Sequence, residues 1–157
     1  MLFETSKCNR NGDWWEMPNN AHIHMKATVG SDVEVGTGVI VNDDATVGDG
    51  VTLGDGAWIG TGARISSGCT LFDRAIVGDR SVLGNNVWMG QDSWVKNDVG
   101  LGTESSLGDH SHVAEGARLG KRVTLGDRAA VGERCTIKEG AILPADSNIP
   151  ARTVFPA

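Results

Sequence analysis

Four histidines are the residues best suited to moving a proton near neutral pH, and they fall in two pairs, His22-Ile23-His24 and His110-Ser111-His112. Residues two apart on an extended strand leave the same side of the chain, so each pair is expected to present both rings together. Such a ring at a surface shared with a neighbouring molecule suits general-base chemistry. Counting back eighteen residues from His110 reaches Asp92, within the series Arg74, Asp92, His110, Arg128 and Asp146. His112, His110 and Asp92 are therefore the candidate catalytic groups. The alternating series has a second reading, ordinary charge pairing along a solvated edge.

Other chemistry is scarce. The three cysteines (Cys8, Cys69 and Cys135) are widely spaced with no Cys-x-x-Cys, which argues against a disulfide framework or a zinc–thiolate site and fits a reducing cytoplasm. The 157-residue chain carries a net charge of −6 and no basic block, so neither nucleic acid nor an anionic membrane is an expected partner. No apolar run approaches the ~18 residues of a membrane span. Twenty-two glycines with only three phenylalanines and no tyrosine imply a thin core filled regularly by aliphatics.

The elements that must carry these groups follow from a period of six. From Met17, every sixth residue through Ile23, Val29 and Val35 to Ile149 and Phe155 is apolar, 24 anchors without an insertion or deletion. Four residues after each anchor comes a small side chain, as in Ala57, Cys69, Ser81 and Cys135. The small residue and the next anchor lie two apart, so a short strand turns both inward and the residue between them outward. Glycine fills the place after the anchor in 13 of 23 hexads, which suits either a positive φ or a close backbone approach. Asp and Asn crowd the next two places, as turns require. Helical and heptad periods do not fit; a β-solenoid does. The glycine spacings that mimic phosphate-loop motifs are products of the repeat.

Residues 47–64, Val-Gly-Asp-Gly-Val-Thr, Leu-Gly-Asp-Gly-Ala-Trp and Ile-Gly-Thr-Gly-Ala-Arg, resemble hexapeptide-repeat proteins. The resemblance implies an all-β fold, a left-handed parallel β-helix shaped as a triangular prism, with three hexads per coil and seven to eight coils over residues 17–154. Residues 1–16 are then an N-terminal cap or a partly ordered tail, and 155–157 a short tail. Ile137–Val154 is similar to the closing coil of many acyltransferases of that family. The resemblance implies acyl-CoA-dependent transfer to a small-molecule hydroxyl or amine, in a groove between the subunits of a homotrimer, with no tightly bound cofactor. The stretch His112-Val113-Ala114-Glu115-Gly116 resembles one whose catalytic histidine stands where Glu115 stands here, so His110 or His112 has to act from a shifted position. Two alternatives are a non-catalytic trimeric scaffold or binding module, suggested by the uninterrupted repeat, and a metal site like that of the γ-carbonic anhydrases. That branch spaces two of its histidines five apart, unlike either pair here.

At eighteen-residue spacing the outward residues form three ladders. One reads His22, Ile40, Trp58, Ile76, Trp94, His112, Ala130 and Asn148, and its apolar run Ile40, Trp58, Ile76 and Trp94 is the expected subunit interface. The others begin at Thr28 and Glu34 and are mixed; their threonine rows are too interrupted for an ice-binding surface.

Overall fold

The computed structural model describes residues 1–157. Each hexad makes a short strand, of two residues in all but the first, followed by a turn, so that every anchor from Ile23 onward and the residue before it sit in a strand. Strands eighteen residues apart pair in parallel, as in Trp58 with Ile76 and Ile76 with Trp94. Three parallel stacks result, the walls of a left-handed parallel β-helix of between seven and eight coils. The expected ladders are therefore real columns of neighbouring side chains. The last strand, Val154–Phe155, takes Phe155 into register with Ile137.

Burial divides the hexad as the pattern requires. The small column and the anchors form one cluster of 37 buried residues, its largest side chains Ile, Leu and Met such as Ile59, Leu71 and Met89. A prism three short strands around has no room for rings. Phe3 and Phe155 pack only against the cluster's two ends.

The two turn places turn out to have separate jobs. Glycines directly after the anchor do not adopt positive φ; a Cβ there would collide with the backbone of the next coil, as at Gly78, where Lys96 C would lie 2.4 Å away. Positive φ belongs two places later, at every hexad from Asn20 to Arg152 except Lys26. That conformation turns the N–H back toward the preceding coil, as in Gly68 N–H to Asp49 O at 3.0 Å and Arg74 N–H to Asp55 O at 2.8 Å. Strand N–H groups bond forward instead, as in Arg64 N–H to Ser81 O at 2.8 Å. Each coil is thus tied to both neighbours, which offsets the strain of left-handed non-glycine residues.

The first sixteen residues contain a 3-10 turn at Thr5–Lys7 and a hairpin of β1 (Asn9–Asn11) and β2 (Trp14–Glu16). Its loop is Gly12-Asp13, with Gly12 at φ +61°, one residue beyond the Asn11-Gly12 turn expected from sequence. β2 pairs antiparallel with β3 (His22–His24), the first strand of the His22 ladder, so the hairpin extends that wall. Leu2 bridges to Glu34, covering the first strand of a second wall.

Polar members of the small column test how tightly the interior is balanced. Ser81 Oγ donates to Lys96 O at 2.6 Å and accepts from Val99 N–H at 3.1 Å. Ser93 and Ser111 are equally buried, yet their hydroxyls have no partner. An unpaired buried hydroxyl costs about 1–3 kcal/mol, whereas a made bond contributes about 1. Ser93→Ala should therefore raise stability by about 1 kcal/mol, and Ser81→Ala should lower it by at least that much. Urea unfolding midpoints read the two opposite signs directly.

Candidate active site

His112 opens the strand His112–Val113 and points outward from the first ladder's wall, between Trp94 and Ala130 in register. Its imidazole stacks on the Trp94 indole, ring centroids 5.0 Å apart and planes 23° apart. The Lys96 ammonium lies 5.1 Å from the centre of the same indole. His112 Nε2 is shut off from solvent and has no hydrogen-bond partner.

These contacts set the charge state. An imidazolium needs acceptors for both N–H groups, and the buried Nε2 has none. Burial pushes the His112 pKa below the ordinary 6.5, and the Lys96 charge lowers it further. At neutral pH the ring is an uncharged base.

The other candidates are not gathered around it. His110 occupies the turn place with φ +59°, an exposed corner and not a strand, so strand alternation does not put it on the same wall as His112. Asp92 is held by Arg74, whose Nε and Nη2 donate to its two carboxylate oxygens at 2.7 and 3.0 Å. Those hydrogen bonds keep its pKa below the usual carboxylate value, with a smaller contribution from nearby His110. Arg128 clasps Asp146 in the same way at 2.7 and 3.2 Å. The corner is thus the charge-paired edge of the second sequence reading, and Asp92 does not orient His112.

The first histidine pair does share a strand. His22 Nε2 is 3.5 Å from Glu16 Oε1, and the His24 ring meets Trp14 edge-on at 4.9 Å. His22 and His112 are five coil steps apart on one wall, roughly 24 Å, so the two pairs cannot combine within a chain. No three His, Cys, Asp or Glu side chains converge within the chain on a point where a metal could sit. Cys69 and Cys135 are fully buried in the small column, as expected of core filler, and their thiols point at Gly84 O and Pro150 O.

Of the apolar run, Ile40, Trp58 and Ile76 are half-buried by one another and Trp94 stays 42% exposed. Sequence reasoning took Trp94 as an interface residue and missed its stacking on His112. The signal was present, since the two are eighteen apart. Lys96 was not legible, because its place lies at a corner and outside every outward ladder.

No protein-family model and no curated protein matches the sequence. Solved structures do match. The acetyltransferase domain of PglB from Neisseria gonorrhoeae is similar at 21% identity with a TM-score of 0.54, over 83% of this chain and 57% of that one. A histidine-to-alanine mutant of GDP-perosamine N-acetyltransferase from Caulobacter crescentus, in complex with CoA and GDP-perosamine, is similar at 24% identity and TM-score 0.53, over 83% of this chain and 52% of that one. UDP-N-acetylglucosamine acyltransferase from Campylobacter jejuni is similar at 17% identity and TM-score 0.55, over 77% of this chain and 59% of that one. The chain thus spans little more than half the length of these proteins. Together with the unbroken six-residue repeat, that likeness identifies the fold as the left-handed parallel β-helix of the hexapeptide-repeat proteins.

Proposed function

We propose that the protein is an acyltransferase-like enzyme, a cytoplasmic homotrimer that moves an acyl group from acyl-CoA to a hydroxyl or amine of a small molecule in a groove between subunits. The observation that carries the reading is His112: an uncharged imidazole, set by burial, beside the expected subunit contact. Its Nε2 is closed off, and Nδ1 makes no hydrogen bond, so Nδ1 is the nitrogen free to take a proton. In the proposed step Nδ1 takes the proton of the acceptor hydroxyl or amine as that atom attacks the thioester carbonyl. The carbon–sulfur bond breaks, and the proton passes to the departing thiolate. His110 and Asp92, at their corner, stand apart from this step. Likeness to three structures of acetyl- and acyltransferases supports the class through the fold alone.

Trimer formation rests on the Ile40, Trp58, Ile76 and Trp94 run, four apolar residues in unbroken succession down one wall. Sedimentation equilibrium should give about three times the 16.5 kDa chain mass. Catalysis is tested with acetyl-CoA. At a hundredfold excess over its Kd, a ligand of the native state adds about 2.7 kcal/mol, or about 5–10 °C in Tm for a domain of this size. Thiol release in the presence of amino- and hydroxy-sugar acceptors should accompany that shift. Neither shift nor release would leave the second reading, a trimeric scaffold, which the absence of any inserted loop in the 23 hexads favours.

A further inference from the structure

The third wall carries a cleft that the acyl-transfer reading does not use. In register down this wall stand Thr70, Trp88, Ser106 and Thr124. The large indole overhangs two short side chains and leaves a hollow of about 510 Å3, within the range of small-molecule sites. Phe72 leans from the adjoining corner and meets Trp88 edge-on, ring centroids 5.1 Å apart. Both rings remain open to solvent, Trp88 53% and Phe72 40% exposed.

The charge around this hollow is one-sided. Asp73, Asp109 and Asp127 line it, and no Lys, Arg or His does. Each carboxylate is fixed by a backbone N–H from the preceding coil: Asp55 to Asp73 Oδ1 at 3.0 Å, Gln91 to Asp109 Oδ1 at 2.9 Å and Asp109 to Asp127 Oδ1 at 2.9 Å. The three Oδ2 atoms have no hydrogen-bond partner in the chain. The neighbouring cations are already engaged, Arg74 with Asp92 and Arg128 with Asp146. Asp109 and Asp127 are one coil apart, about 4.8 Å along the stack, so one bound cation can face both carboxylates. Arg74 and Arg128 follow Asp73 and Asp127 in the same turns, but their guanidinium groups are bonded to Asp92 and Asp146 and line no part of the hollow.

We propose that this cleft binds a small organic cation, an ammonium group carried on a compact apolar skeleton. The charge sits between the Trp88 ring and the free oxygens of Asp109 and Asp127, and the skeleton rests on Trp88 and Phe72. A ring face attracts a cation, and fixed carboxylates add to that attraction in a partly dehydrated hollow. The site is separate from His112 and independent of any acyl transfer.

Choline and its uncharged isostere 3,3-dimethylbutan-1-ol differ only in the charged nitrogen, and they make the test. Choline should shift one of the five tryptophan indole N–H signals saturably, and Trp88→Leu should identify that signal by removing it. By titration calorimetry the alcohol should bind at least tenfold more weakly. Trp88→Leu should weaken choline about tenfold and the double change Asp109→Asn with Asp127→Asn at least threefold, with unaltered melting curves as the folding control. Raising sodium chloride should weaken binding to the wild-type protein, a measurement that needs no variant. Equal binding of the alcohol would overturn the proposal in favour of a merely apolar hollow. Calcium competing beyond its ionic strength would overturn it in favour of a metal site. No shift at Trp88, or a Trp88 signal hidden by self-association, would overturn it as well.

Discussion

Alanine in place of Gly78 or Gly102 should lower the melting temperature by about 10 °C, far more than alanine at glycines that look equivalent in the sequence. At Gly78 the added Cβ would lie 2.4 Å from Lys96 C, 2.6 Å from Lys96 O and 2.7 Å from Asn97 N; at Gly102 it would lie 2.4 Å from Gly120 C and 2.5 Å from Lys121 N. All these atoms are backbone, so no rotamer change relieves the clash. The coils cannot simply separate either, because Gly78 N–H bonds Val95 O at 2.7 Å and its neighbours repeat that bond along the prism. Overpacking of this kind costs about 3 kcal/mol, at the upper end of the usual range, and each kcal/mol is about 2–4 °C for a domain of this length. Gly50 differs: its φ is +67° and a Cβ would meet nothing within 4 Å. Alanine there costs only the left-handed backbone, about 1 kcal/mol, and asparagine less. At Gly100, on a strand, the Cβ would touch only the Arg118 side chain at 3.4 Å, and alanine should be neutral or slightly stabilising. Thermal melts of the four variants give the order, and equal losses at Gly78 and Gly50 would contradict the assignment of separate jobs to the two turn places.

That division of labour marks where the sequence stops being legible. The period of six dictates which residue faces in, and the eighteen-residue step places Trp58 over Ile76 and Trp94 over His112, because a parallel stack with no insertion has only one register. The glycine after the anchor was ambiguous, since one residue type serves both a tight approach and a positive φ. Only the path of the chain assigns approach to Gly78 and positive φ to Gly68 and Arg74. His110 was misplaced for the same reason: a rule for strands was applied to a residue that the structure puts in a left-handed turn. Contacts that cross a corner were invisible. Phe72 lies sixteen residues before Trp88, at a corner off every ladder, and the pairing of β2 with β3 depends on a hairpin outside the repeat.

His112 carries the largest expected effect on activity. Removing a general base costs about 10²–10⁴ in rate, so His112→Ala should lower kcat/KM by that factor, while His110→Ala should change it less than threefold. The pH profile separates a base from a merely structural ring. Burial first, and Lys96 second, hold the His112 pKa below 6.5, so activity should be full at neutral pH and fall only as the pH drops through that lowered value. Lys96→Met removes one of the two causes and should move the acid limb toward higher pH with the base still present. Stability carries the same signature with a definite sign. Between the lowered folded value and the ordinary 6.5 of the unfolded chain, the unfolded state holds a proton that the folded state refuses, so stability rises with pH through that window. Above the window neither state is protonated and below it both are, so the slope vanishes at each end. His112→Gln should abolish this dependence and leave the melting temperature at pH 8 nearly unchanged. An acid limb that survives His112→Gln would place the titrating base elsewhere and sink the role assigned to this ring.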